Sequence, residues 1–149
     1  MRTWNFSFWL PVLLLIGLAF TGCKKDDDGA GSLEECLTSG SGEWVVTSFT
    51  EDGDELVGSS ALFNAFQLRF NQYNRADQRG SFSWTLIYLD GSTEIWSGNY
   101  EIIESTSEVE MTFLTGVSGF VIFKTECIGE RLELDGNLDG FKWVIQARK

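Results

Sequence analysis

The stretch Ser81–Ile103, SFSWTLIYLDGSTEIWSGNYEII, carries the pattern that decides the fold. Apolar side chains take every second position of its first half, which is typical of a strand with one buried face. The dipeptide Asp90-Gly91 follows, and it favours a tight hairpin because Gly adopts positive φ at no steric cost. The stretch therefore predicts two antiparallel strands, Ser81 to Leu89 and Ser92 to Ile103.

The same alternation continues on both sides of this hairpin, with short polar turns between the apolar runs. A capping box at Ser32 predicts a short helix through Leu37, and Gly58 to Asn64 suggests one helical turn. The predicted strands are Glu43 to Glu51, Ala65 to Asn71, Ser81 to Leu89, Ser92 to Ile103, Glu108 to Leu114, Phe120 to Cys127, Arg131 to Asp135 and Phe141 to Arg148. Eight strands in a meander favour an all-β, antiparallel up-and-down barrel with a short N-terminal helix, because closure removes the sheet edges. A sandwich is the alternative fold.

The N-terminus predicts export. Phe8 to Phe20 is almost wholly apolar and has the length of a signal-peptide core rather than of a membrane span. The segment Phe20-Thr21-Gly22-Cys23 resembles the lipobox of bacterial lipoproteins, which implies cleavage before Cys23 and diacylglycerol on its sulfur. An uncleaved signal anchor is the alternative. The chain is thus divided into a signal peptide (1–22), a lipidated, acidic tether (23–32) and one folded domain (33–149).

Charge and composition exclude several classes of function. The 149 residues carry a formal net charge of −11, which argues against nucleic acid as a partner. Histidine is absent, which removes the commonest general base and the commonest metal ligand. No spacing singles out a pair of carboxylates for acid–base work. We therefore expect no enzyme activity, no cofactor and no bound metal.

Two resemblances suggest where the protein lives and how its barrel closes. Lys24–Asp28 (KKDDD) resembles the signal that exports lipoproteins of the Bacteroidota to the outer face of the outer membrane, although a solvated tether predicts the same acidity. Gly42-Glu43-Trp44, between a helix and the first strand, resembles the Gly-x-Trp motif of lipocalins, especially small lipocalin-like lipoproteins. That resemblance implies that Trp44 packs across a closed barrel end under a basic residue, for which Arg148 is the candidate.

Two cysteines remain after lipidation of Cys23. An even pair in an exported domain predicts a disulfide between Cys36 and Cys127, and free buried thiols are the alternative. Asp135 to Gly140 (DGNLDG) matches half of a calcium loop, but the twelfth position is Gln146 instead of Glu. A hairpin turn needs no metal, so we assign none.

The aromatic residues leave two functions open. They either line a cavity for a small hydrophobic ligand or fill the barrel themselves. The candidate ligand-binding residues are Phe70, Trp84, Tyr88, Trp96, Tyr100 and Trp143. We expect a non-catalytic protein held at the outer membrane by its lipid anchor, which binds a small hydrophobic ligand. The alternative is a structural or protein-interaction module with a filled core and an unknown protein partner.

Overall fold

The computed structural model describes residues 32–58 and 62–149. The predicted signal peptide, Cys23 and the tether as far as residue 31 lie outside the described residues. The elements are α1 (Leu33–Thr38), β1 (Glu43–Glu51), β2 (Asp54–Glu55), β3 (Phe63–Phe70), β4 (Gly80–Tyr88), β5 (Thr93–Ile103), β6 (Glu108–Phe113), β7 (Gly119–Ile128), β8 (Arg131–Leu138) and β9 (Phe141–Arg148).

The strands form a closed antiparallel barrel. From β3 to β9 each strand pairs with the next one along the chain, and β1 pairs with both β3 and β9. The β4–β5 hairpin places Trp84 directly opposite Trp96. The predicted all-β, eight-stranded up-and-down barrel with a short helix is confirmed, and the β1–β9 pairing excludes the sandwich.

Two segments differ from their predictions near residues 52–64. The predicted turn after β1 contains a ninth short strand, β2, whose Glu55 lies opposite Thr50. The predicted helical turn is wrong at its C-terminal part, because Phe63 and Asn64 already belong to β3. Period-two alternation there begins earlier than the prediction allowed, and a register shift between Phe63 and Ala65 obscures it.

The segment resembling a calcium loop is a hairpin. Strand β8 continues to Leu138, and Asp139 and Gly140 form the turn with φ of 52° and 92°. Positive φ at both central residues is the type I′ pattern that joins twisted antiparallel strands. Asp135 points outward and pairs with Lys142 at 3.2 Å, so the segment is explained without a metal.

The two barrel ends differ. We define the closed end by α1, the β3–β4 loop (71–79), and the turns 104–107 and 129–130. The open end comprises residues 52–58, residue 62 and the turns 89–92, 114–118 and 139–140. Inward side chains of all eight long strands form one apolar core between the ends.

Candidate functional site

The closed end is sealed by α1 and Trp44. The Trp44 indole is fully buried, and its Nε1 donates a hydrogen bond to the carbonyl of Leu37, 3.0 Å away. Gly42 has a φ of +68°, and a Cβ there would overlap the Phe70 carbonyl. The glycine of the motif is therefore required by close backbone approach, as well as by its left-handed conformation.

The cation over Trp44 is Lys149, so the assignment of this role to Arg148 is wrong. Lys149 Nζ lies 4.4 Å from the Trp44 ring centroid. It also donates hydrogen bonds to the carbonyls of Cys36 (3.0 Å) and Ser39 (3.1 Å). Alternation along β9 explains the shift, because buried Ala147 points inward and exposed Arg148 outward, which leaves the following residue to reach the closed end.

The surroundings of the Lys149 ammonium both oppose and favour its charge. Burial lowers the pKa of Lys149, and the nearby Glu130 carboxylate opposes that effect. The ammonium meets the carbonyls at the C-terminus of α1, where a positive charge is favourable. Lys149 therefore ties the end of β9 to the helix that closes the barrel.

The predicted disulfide is present. Cys36 of α1 and Cys127 of β7 are bonded, with Cα atoms 6.2 Å apart and a sequence separation of 91 residues. A cross-link over a loop of that length stabilises mainly by restricting the unfolded chain, by about 4–5 kcal/mol in the entropic model. It holds α1 against the closed end, and so does Arg75, whose guanidinium contacts the Glu34 carboxylate at 2.8 Å.

The six predicted ligand residues do not form one site. Phe70 and Tyr100 pack edge to face at 5.3 Å near the closed end, where the Tyr100 hydroxyl donates to the carbonyl of Asn71. Burial raises the pKa of Tyr100. Tyr88 lies at the open end, far along the strand from this pair. The other three residues, Trp84, Trp96 and Trp143, are brought together separately from this pair.

These three tryptophans form a cluster in the barrel interior. The ring centroids lie 6.0 to 6.4 Å apart, and Trp96 is nearly parallel to both partners. Trp143 Nε1 donates to the Glu51 carboxylate at 2.8 Å. Trp84 Nε1 and Trp96 Nε1 are buried, and neither has a hydrogen-bond partner among the described residues.

Further rings surround this cluster. Trp84 has no solvent exposure. Besides the two tryptophans, it contacts four phenylalanine rings at centroid distances of 5.0 to 6.3 Å, namely Phe66, Phe82, Phe113 and Phe123. Gly116 in the β6–β7 turn covers Trp96, because a Cβ at this glycine would overlap the indole. The middle of the barrel is thus occupied by aromatic side chains in mutual contact.

The open end carries polar contacts that the sequence analysis missed. The Tyr88 hydroxyl donates to Glu94 at 2.6 Å, which raises the pKa of Tyr88 and lowers that of Glu94. The Trp96 N–H also lowers the pKa of Glu94, without reaching normal hydrogen-bond geometry. Alternation on β5 places Glu94 on the inward face, and this was the available signal for a carboxylate at the barrel mouth.

A second carboxylate organises the segment after β1. Glu55 accepts hydrogen bonds from the Ser48 hydroxyl (2.6 Å), the Phe49 amide (2.8 Å) and the Val57 amide (3.1 Å). Partial burial raises the pKa of Glu55, but these bonds outweigh it and hold that pKa below its usual value. Val45 is the last residue of β1 that pairs with β3. Beyond it, the Glu55 carboxylate accepts the hydrogen bond of the Phe49 amide in place of a neighbouring strand.

Surface hollows lie outside the barrel. One of about 160 Å³ lies on the outer face between β7, β8, β9 and β1, where Arg131 is directly opposite Arg148. Within residues 32–58 and 62–149 there is no cluster of three acidic or cysteine side chains with metal-binding geometry. No helix in that part of the chain is long and apolar enough to span a bilayer.

The chain was also compared with known proteins. It matches no protein-family model and no curated protein.

Proposed function

We propose that the chain is a lipid-anchored, non-catalytic protein-interaction module of a bacterial outer membrane. The observation that supports it best is the set of rings in contact around Trp84, a residue with no exposed surface. Side chains packed to this degree leave no room for a guest without displacement of a ring. An interior filled in this way favours a function at the outer surface of the barrel.

The anchor is supported by sequence. The apolar run from Phe8 and the segment Phe20–Cys23 fit a lipoprotein signal, and Lys24–Asp28 fits export to the cell surface. Two or more acyl chains at Cys23 give stable membrane attachment, since each buried CH₂ contributes about 0.8 kcal/mol. Residues 24–32 connect Cys23 to α1, which lies at the closed end of the barrel.

Native mass spectrometry of the full chain, released from its membrane in mild detergent, tests this proposal. We expect a chain that lacks residues 1–22, carries acyl chains on Cys23 and retains no small molecule. A Cys23→Ser variant should keep the signal peptide and gain no lipid, because the acylated sulfur is missing. A wild-type chain without lipid would refute the anchor, and a stoichiometric bound molecule would refute the filled interior.

One observation favours a second candidate, the binding of a small ligand inside the barrel. Among residues 32–58 and 62–149, the buried N–H groups of Trp84 and Trp96 have no hydrogen-bond partner, and a buried donor without an acceptor costs about 1–3 kcal/mol. A ligand with an acceptor oxygen at both indoles would remove that cost. Apart from that oxygen, the ligand would have to be small and apolar. Native mass spectrometry would detect it as a molecule retained by the protein.

A further inference from the structure

Exposed apolar residues are concentrated at the open end of the barrel. Ile95 lies on β5 and Phe120 on β7, and Leu114 directly follows β6 between them: the Leu114 amide bonds to the Ser97 carbonyl, and Phe120 is opposite Thr112. We define the apolar rim by the exposed apolar residues of the open end, whose exposures are 49% to 68%: Leu62, Leu89, Ile95, Leu114, Phe120 and Phe141. Their collection around one end of the barrel makes this end the candidate interaction surface.

The open end is also acidic. The strand ends and turns of this end also carry seven carboxylates, which are Glu51, Asp52, Asp54, Glu55, Asp90, Glu94 and Asp139. The pKa of Asp90 is held low by hydrogen bonds from Ser92, as those of Glu55 and Glu94 are by their own partners. The one basic side chain at this end, among the described residues, is Lys142, and Asp135 neutralises it.

Basic residues lie at the other end. The closed end carries Arg69, Arg75, Arg79, Arg131, Arg148 and Lys149, mixed with carboxylates, and its first three arginines pair with Glu43, Glu34 and Glu101. The two ends therefore differ in their balance of charge, because the carboxylates of the open end face a single basic side chain and those of the closed end face six. Two copies of this rim would repel each other, and so would the rim and an anionic lipid surface.

The tether orients this surface. Residues 24–32 enter α1 at the closed end, and a chain of that length extends to about 30 Å at most. The orientation rests on the proposed function, since it requires the lipid at Cys23. It places the closed end next to the membrane and the rim away from it.

We infer that the open end of the barrel docks a polypeptide segment in which Lys or Arg alternates with apolar side chains. The rim contributes apolar area that is desolvated on contact, and the surrounding carboxylates accept the cations at its edge. The long aliphatic stems of Lys and Arg suit such a mixed surface, because they pack on apolar groups while the charge reaches a carboxylate.

Methyl NMR of the full chain in phosphatidylcholine nanodiscs tests this inference, with short synthetic peptides as probes. A peptide of alternating Lys and Leu should shift the methyl signals of Leu89, Ile95 and Leu114 in a saturable way. The exposed closed-end methyls of Val45 and Ile128 are the internal control and should stay unchanged. A peptide with Glu in place of Lys should bind at least about tenfold more weakly.

Two pairs of variants separate charge from fold. The double variant Asp54→Asn, Asp139→Asn should bind the Lys–Leu peptide with several-fold lower affinity, because two carboxylates are lost from the open end. Glu104→Gln with Glu126→Gln removes the same charge from exposed sites away from the rim, and it should leave the affinity unchanged. Equal losses in both pairs would overturn the inference in favour of unspecific attraction to an acidic protein.

Other outcomes are also decisive. The inference would be overturned if the methyl signals of the rim did not shift with the Lys–Leu peptide. It would also be overturned if the Glu peptide shifted them equally. Broadening of the rim methyls by a paramagnetic lipid in the disc would show that the rim rests on the membrane instead. Failure of the proposed function looks different, since a ligand inside the barrel shifts the core methyls of Leu86 and Leu134 while the rim stays silent.

Discussion

At the scale of single residues, the closed end depends on the contact between a basic side chain and Trp44. The sequence predicted this basic residue one position too early in the chain. A basic residue over Trp44 was expected at the end of the last strand, and the inward position belongs to Lys149 rather than to Arg148. Alternation predicts that Arg148 points outward, but it cannot show how far a side chain beyond the strand reaches. The place of Trp44 at the closed end was predictable only through the resemblance of Gly42-Glu43-Trp44 to a known motif, because the close backbone approach at Gly42 leaves no signal of its own in the sequence.

Replacement of Lys149 tests this contact. We expect Lys149→Met to lower the free energy of unfolding by about 1 kcal/mol, since the cation over the indole and two hydrogen bonds to carbonyls are lost. Arg148→Met, the matched control, should change that free energy by less than about 0.5 kcal/mol, as surface substitutions usually do. Urea denaturation of both full-length variants measures the difference, and equal effects would contradict the assignment to Lys149.

At the scale of elements, the strands were predictable and their interruptions were not. Alternating apolar residues and turns such as Asp90-Gly91 locate the hairpins, and β1 and β9 begin and end where the pattern predicts. The segment with β2 has no alternation of its own, because it is held by the Glu55 carboxylate and by two backbone bonds to Leu56. Such a side-chain contact across residues 48–57 leaves no periodic signal in a sequence.

The pH dependence of stability tests the role of Glu55. Its pKa in the folded protein is below the ordinary value of 4.5, so the folded state favours the carboxylate. The contribution is complete above the pKa of the unfolded chain and is lost as the pH falls through the lower, folded pKa. We expect Glu55→Gln to cost about 1 kcal/mol at neutral pH, because charged acceptors make the stronger hydrogen bonds.

Denaturation of wild type and Glu55→Gln between pH 7 and pH 3 measures this effect. The difference in unfolding free energy should be constant at neutral pH and shrink below about pH 4.5. Glu104→Gln, at an exposed turn position, is the control and should show no such trend. A difference that persists unchanged at the lowest pH would mean that the contacts of Glu55 do not depend on its charge.

At the scale of the whole molecule, the chain combines a closed barrel with two unlike ends. The fold was predictable, since eight alternating segments with short turns leave few other topologies. The candidate ligand residues were predictable as inward-facing aromatics, but not their division between the closed end, the middle and the open end. That division depends on barrel register, as in the pairing of Trp84 with Trp96. The concentration of apolar and acidic groups at one rim depends on it too.

The most direct measurement for the filled interior is thermal unfolding of the full chain with and without indole. Trp96→Ala removes one ring from the cluster and leaves a cavity of indole size, and apolar cavities of this kind take up matching small molecules. We expect the variant to lose about 3 kcal/mol of stability and to regain part of it with indole, which binds only the folded state. Phe120→Ala, at an exposed ring, is the matched control and should not respond to indole.

Wild type should show no change in Tm with indole, because its own rings occupy the interior. Rescue of Trp96→Ala alone would show that the rings of the wild type fill the barrel, as the proposed function at the outer surface requires. An equal rise in the Tm of wild type would contradict that account, since it would show a ligand site inside the native barrel.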